Sequence, residues 1–159
     1  MILTHKDPMT WLTLGVKAPL AVHEDVIPFS SPLWDLHTLT QPQLRKWVQR
    51  NSGWFLRTFD EVYAERRPYP DPVAFTGPGI YFRFTDGLDY VGQSNKVYYR
   101  LGQHAKDMSY GLPCPFRSFC VVWCPEPILA DVEAFYIAKF NPATNRQRPP
   151  VPDYLSSYL

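Results

Sequence analysis

The chain has 159 residues, enough for one hydrophobic core and too few for two. It is 45% apolar and 19% charged, which excludes a disordered tail, and its net charge of +1 excludes a polycation that binds nucleic acid by bulk charge. Aromatics at 16% and 17 prolines against 8 glycines announce an aromatic core and many fixed turns. Residues 1–39 have no clean period and are interrupted by Pro19, Pro28 and Pro32, with one strand candidate at 9–16. Lys6, Asp7 and Pro8 break any apolar leader, so no signal peptide is expected. No run of 18 apolar residues is present, so no membrane partner is expected. Cys114, Cys120 and Cys124 are odd in number and clustered, which is no disulfide framework and points to a reducing, cytoplasmic setting. A zinc site is also unfavourable. Cys120 and Cys124 on an extended strand would stand about 13 Å apart, too far for two Zn–S bonds of about 2.3 Å.

Thr40-Gln41-Pro42-Gln43 is a capping box with Pro in the first turn, and Leu44, Trp47 and Val48 follow at helical spacing. Gly53 is expected to end that helix or to mark the turn after it. A second helix should carry Phe55, Leu56, Phe59, Val62 and Tyr63 on one side and Arg57, Asp60, Glu61 and Glu65 on the other. The Pro-rich stretch at 66–72 stops it and divides the chain into an N-terminal extension (1–72), a core (73–147) and a Pro-rich tail (148–159), the last expected to be largely irregular. Two short helices around a Gly suggest a helix-turn-helix. The mixed charge of the second favours a helical hairpin packed on a sheet.

Gly79-Ile80-Tyr81-Phe82-Arg83-Phe84, Asp86-Gly87 and Leu88-Asp89-Tyr90-Val91 predict a β-hairpin with Ile80, Phe82 and Phe84 on one face and Tyr81 and Arg83 on the other. Ser94 or Asn95 caps a helix predicted over 96–108. Residues 119–123 read as a strand buried on both faces, and 128–140 as a helix closed by Asn141-Pro142. The expected fold is α/β: a small, mainly antiparallel sheet flanked by helices, with a helical N-terminal extension.

Two anomalies stand out. Ile128, Leu129, Val132, Phe135, Tyr136, Ile137 and Phe140 form a wide apolar arc, and Glu133 projects inside it at the helical repeat. A carboxylate there is partly desolvated and needs a partner. That partner is either an Arg in a structural pair or a metal ion. Arg100 and His104, four apart, share a helix face beside the stripe of Val97, Leu101 and Met108. Arg suits a phosphate and His can pass a proton near neutral pH, although each can equally be a solvated surface residue.

With the hairpin, these anomalies match a pattern. Gly79-Ile80-Tyr81 followed by Tyr90-Val91-Gly92 resembles the paired motifs that name the GIY-YIG nucleases. Arg100, ten positions after Tyr90, resembles the family's arginine, and His104 the histidine of its restriction and homing members. Glu133 resembles its metal-binding glutamate, followed by Pro142 and then, twelve positions after Glu133, by Asn145. The resemblance covers residues 77–147. Gln93 stands where repair-type members carry Lys, so the likeness is to the restriction and homing branch.

The resemblance implies a divalent-metal-dependent endonuclease acting on DNA, of restriction or phage-defence type. Glu133 would hold one Mg²⁺, or Mn²⁺ in its place. Tyr81 would orient or deprotonate the attacking water, with Tyr90 in the same cluster. Arg100 would bind the phosphate, His104 would relay a proton, and Asn145 would brace Glu133 or the backbone. Gly79 and Gly92 would admit close backbone approach. An ordinary phenol titrates near 10, so a Tyr base needs cationic neighbours; Arg83 or Lys96 can replace the missing Lys. Arg83 and Lys96, Arg45, Lys46 and Arg50 on the first helix, and Arg146 beside Arg148 are candidate DNA contacts. One site per subunit suggests a homodimer that cuts both strands. The competing functions are a non-catalytic nucleic-acid-binding module and a structure-selective repair nuclease.

Overall fold

The computed structural model describes residues 36, 39–68, 77–97, 99–103 and 116–159. The strand candidate at 9–16, Cys114 and His104 lie outside the described residues, as does the predicted helix beyond residue 103. The described elements in chain order are α1 (Gln41–Phe55), α2 (Phe59–Ala64), β1 (Arg67–Pro68), β2 (Gly79–Phe84), β3 (Leu88–Ser94), β4 (Ser118–Trp123), α3 (Leu129–Phe140) and α4 (Asp153–Ser156). Residues 97 and 99–103 are helical as well. The four strands form one antiparallel sheet in the order β1-β4-β2-β3, so the chain is an α/β protein with a small antiparallel sheet and flanking helices. Among the described residues no helix is long and apolar enough to cross a membrane.

The Thr40 capping box forms as the sequence predicts: Thr40 Oγ1 accepts from the Gln43 N–H and Gln43 Oε1 from the Thr40 N–H. Gly53, however, does not end α1, which runs through Phe55. The boundary with α2 is set by a second capping box, in which Thr58 and Glu61 satisfy one another's backbone donors. Phe55 therefore belongs to α1 and Phe59 opens α2. The two helices lie on the sheet and on α3. Trp54 meets Trp123 of β4 with ring centroids 5.6 Å apart, Tyr63 meets Phe84 of β2 at 5.7 Å, and Phe59 meets Phe140 of α3 at 5.4 Å. This is the packed hairpin and not a helix-turn-helix standing free.

Arg67 and Pro68, in the stretch expected to be a boundary, pair with Phe119 and Ser118 and so extend the sheet by β1. Every residue of β4 after Ser118 is buried, as a strand covered on both faces requires. The last residues of the chain are not irregular throughout. Helix α4 buries Tyr154 and Leu155, and the Tyr154 hydroxyl donates to the Asp131 carboxylate of α3. Cys120 and Cys124 are buried free thiols, and burial pushes the Cys120 thiol up to about 12. That makes it an inert core residue, as expected.

One polar group lies at the centre of the aromatic core. Tyr136 is fully buried on α3, edge-on to Phe82 at 4.9 Å. Its hydroxyl accepts the Arg57 N–H at 2.7 Å and donates to the Phe55 carbonyl, so it satisfies the backbone where α1 ends. Tyr136→Phe keeps the ring and strands both backbone groups. It should lower unfolding free energy by about 1–3 kcal/mol, the usual cost of buried unpaired polar groups, read from urea denaturation at unchanged m-value.

Candidate active site

Strands β2 and β3 carry the two tyrosines, and their relation is decided near the turn. Phe84 pairs with Leu88, but Arg83 pairs with Tyr90 and Tyr81 with Gly92. Asp89 is therefore an extra residue on β3, a β-bulge that shifts the register by one. Directly paired residues share a face of the sheet, so Tyr81, Arg83, Tyr90 and Gly92 face the same way. Ile80 and Phe82 face the other side, where Phe82 packs on α3.

Tyr81 is buried, and the hydroxyl end of its ring packs against the bare backbone of Gly92. A Cβ at Gly92 would fall 2.8 Å from Tyr81 Cε2 and nearer still to Cζ and Oη, which no side chain tolerates. Gly92 is therefore required by close approach and not by turn chemistry. The Tyr90 ring stands 6.1 Å from that of Tyr81, tilted by 33°. The helical turn after β3 is anchored by buried Val97 and Leu101, which brings Arg100 to the same place. Arg100 Nε donates to the Tyr81 hydroxyl at 3.4 Å and its Nη1 to Gln103 at 2.8 Å.

Glu133 arrives from α3 at the outer edge of β3. It is half-buried on the helix that packs along β3. Burial holds its carboxyl above the usual range, partly offset by the nearby backbone N–H of Gln93. Among the described residues no Lys or Arg makes an ion pair with it, so the structural Glu–Arg alternative is not what forms. Glu133 also acts on Tyr90. Burial raises the Tyr90 phenol above its ordinary value, and Tyr81 and the Glu133 charge raise it further, while Arg83 lowers it.

Asn145 braces the backbone, not the glutamate. Its Oδ1 accepts the Val91 N–H and its Nδ2 donates to the Val91 carbonyl, both at 2.9 Å. Next to it, the Thr144 N–H and hydroxyl both donate to the Asp89 carbonyl, at 2.8 and 2.6 Å. Thr144, Asn145 and Glu133 thus cover the open edge of β3 in turn, where an unpaired strand would otherwise invite another chain.

Set against protein-family models, curated proteins and solved structures, the chain matches none of them. What can be said of the site rests on its own residues. Tyr81, Tyr90, Arg100 and Glu133 converge at the β2–β3 hairpin, and Asn145 supports it. Gly79 pairs with Ser94 and Trp123 at the start of β2.

The proposed DNA contacts separate into groups. Arg83 is turned into the cluster. Lys96 stands at the start of the Arg100 turn, with its Nζ 5.7 Å from the exposed Tyr99 ring. Arg45, Lys46 and Arg50 are exposed on α1, which packs on β4 and α4. Arg45 there pairs with Asp153. Arg146 is exposed directly after Asn145, whereas Arg148 is used structurally, donating to Asn141 Oδ1 and the Pro142 carbonyl at 2.8 Å each. Sequence reasoning did not assign Asp89, Thr144 or the Gln93 N–H to the site. The bulge that recruits them has no signature in the residue types.

Among the described residues no three His, Cys, Asp or Glu side chains gather as a metal cage. Among the described residues Glu133 has no ion-pair partner, and a half-buried carboxylate of that kind suits Mg²⁺, which keeps several waters and takes one or two carboxylates plus substrate phosphate. That donor chemistry is compatible with the Mg²⁺ that the resemblance implies.

The ionised Glu133 is a cost to the fold. Its pKa is raised in the native state, so the unfolded chain releases that proton first, and stability falls as pH rises through the window above the ordinary value of 4.5. Glu133→Gln should therefore raise Tm at neutral pH, with the gain vanishing below the ordinary carboxylate range, where both states are protonated. Thermal denaturation across pH measures this.

Proposed function

We propose that this protein is an endonuclease of the GIY-YIG type that hydrolyses DNA phosphodiester bonds. The observation that carries the reading is the convergence of Tyr81, Tyr90, Arg100 and Glu133. They come from two strands, a helical turn and a distant helix, yet Arg100 meets Tyr81, Tyr81 meets Tyr90, and Glu133 is half-buried on the helix that packs along β3. A chain of aromatic packing residues alone gives no reason for an arginine to bond one of two neighbouring phenols, or for a half-buried carboxylate to stand on the adjoining helix.

Each residue then has a task. Glu133 would hold Mg²⁺, which when bound supplies positive charge to the phosphoryl oxygens. Arg100, which bonds the Tyr81 hydroxyl and Gln103, would turn its planar fork to a phosphate. The Tyr81 hydroxyl, held by Arg100 on one side and seated on Gly92 below, orients the attacking water. As the water oxygen bonds to phosphorus, its proton departs and the bond to the leaving ester oxygen breaks. His104, four residues beyond Arg100 in the sequence, is the residue assigned to carry that proton. Asn145 and Gly92 hold the hairpin and touch no substrate. Lys96 and Arg146 flank the cluster in the chain and are suited to backbone phosphates. Two such subunits in a C2 homodimer would present one site to each strand of a duplex.

The test is cleavage of supercoiled plasmid with and without Mg²⁺. Glu133→Ala should abolish cleavage at every Mg²⁺ concentration while DNA binding persists, with circular dichroism confirming the fold. Arg100→Ala should lose both binding and rate, because phosphate is contacted in the ground state and in the transition state. Full activity in a folded Glu133→Ala protein overturns the assignment.

A further inference from the structure

Arg83 was a candidate DNA contact, yet the fold turns it inward. Its guanidinium carbon lies 4.3 Å from the centroid of the Tyr90 ring and 5.7 Å from that of Phe116. Its Nη2 faces Asp89 Oδ2 at 4.0 Å, and only 16% of the Arg83 side chain and 14% of the Asp89 side chain remain exposed. Arg83 Nε and Asp89 Oδ1 are buried without a hydrogen-bond partner among the described residues. Such an arrangement is costly to build for packing alone, since a desolvated guanidinium is stabilised best by a full set of acceptors. The stack on Tyr90 is the contact it does make, and a desolvated cation over a tyrosine face is attractive.

The route that holds it there is continuous. Thr144 fixes the carbonyl of the bulge residue Asp89, the Asp89 carboxylate faces Arg83, Arg83 lies over Tyr90, and Tyr90 borders Tyr81. Other charged groups face this cluster from two further elements. Glu133 of α3 acts on Tyr90, and Arg100 of the turn after β3 bonds Tyr81. Of the two cations that could replace the missing Lys at position 93, Lys96 is directed at Tyr99, so Arg83 is the one against the tyrosines.

We propose that Arg83 is a positioning residue: with the bulge residue Asp89 it clamps Tyr90 against Tyr81 and supplies the fixed positive charge beside the pair, and it does not contact DNA. The role in catalysis rests on the nuclease reading above, whereas the clamp itself does not.

The experiment compares Arg83→Met, which keeps the stem and removes the charge, with Arg83→Lys and Asp89→Asn. Three quantities are measured: plasmid cleavage kinetics, the salt dependence of binding to a fluorescently labelled DNA duplex without divalent metal, and the aromatic NMR resonances of Tyr90 and Tyr136. Arg83→Met should lose about tenfold to a hundredfold in kcat, the scale of a ~1 Å misplacement, with KM and the salt slope unchanged. The Tyr90 ring resonances should move while those of Tyr136 stay. Arg83→Lys should recover part of the rate, and Asp89→Asn should lose less than Arg83→Met. A salt slope reduced by about one, the signature of a lost phosphate contact, together with a raised KM, overturns the proposal. So does an unmoved Tyr90. If the wild-type protein cuts no DNA, the nuclease reading fails, and the Tyr90 resonances alone decide the clamp.

Discussion

The site depends on the β-bulge at Asp89. Continued from Phe84–Leu88 without an extra residue, the hairpin would pair Phe82 with Tyr90 and Tyr81 with Val91, setting the two tyrosines on opposite faces. The bulge moves the register by one, so that Arg83 faces Tyr90 and Tyr81 faces Gly92. Only then does the Tyr81 ring meet a residue without a side chain, and only then can both phenols share one surface with Arg83. Asp89, the residue that causes the shift, also supplies the carboxylate opposite that arginine.

The second constraint is the open edge of β3. Because β3 is the last strand of the sheet, its outward backbone groups need partners. Several are satisfied from just past the end of α3, where Thr144 and Asn145, beyond the Asn141 terminus, take Asp89 and Val91. Asn141 makes the turn possible by adopting a left-handed backbone (φ 50°), which asparagine tolerates. The same contacts that close the sheet edge thus stiffen the strand that carries Tyr90 and Gly92. Structure and chemistry share these groups, while the cost of desolvating Glu133 falls on the fold.

The opposite side of the sheet is organised by aromatic burial. Phe82, Tyr136 and Phe140 contact one another, and the Tyr136 hydroxyl ties them to the end of α1. Helices α1 and α2 are therefore part of the packing of this domain, and their charged faces are partly consumed in doing so: Arg45 by Asp153, Arg57 by Glu61 and Glu65. The face that bears Tyr81 and Arg100 is left with Lys96 and Tyr99 at its border.

The sequence by itself determined the local events. The Thr40 capping box, the alternation of residues 79–84, the wholly apolar run at 119–123 and the Asn-Pro stop after residue 140 each act over a few residues, so each was legible. Glu133 was also legible as a misfit, because a carboxylate inside an apolar arc violates burial wherever the helix docks. Tertiary structure decided the rest. The end of α1 is set by the Thr58 capping box together with Tyr136, far along the chain, which satisfies the backbone of its last turn, and a Gly alone could not end it. Whether Asn145 braced a side chain or a strand, and whether Arg83 faced solvent or a phenol, depended on the register of β3 and on which edge it left open. Register and edge arise from pairing between segments distant in sequence, and composition and periodicity carry no record of them.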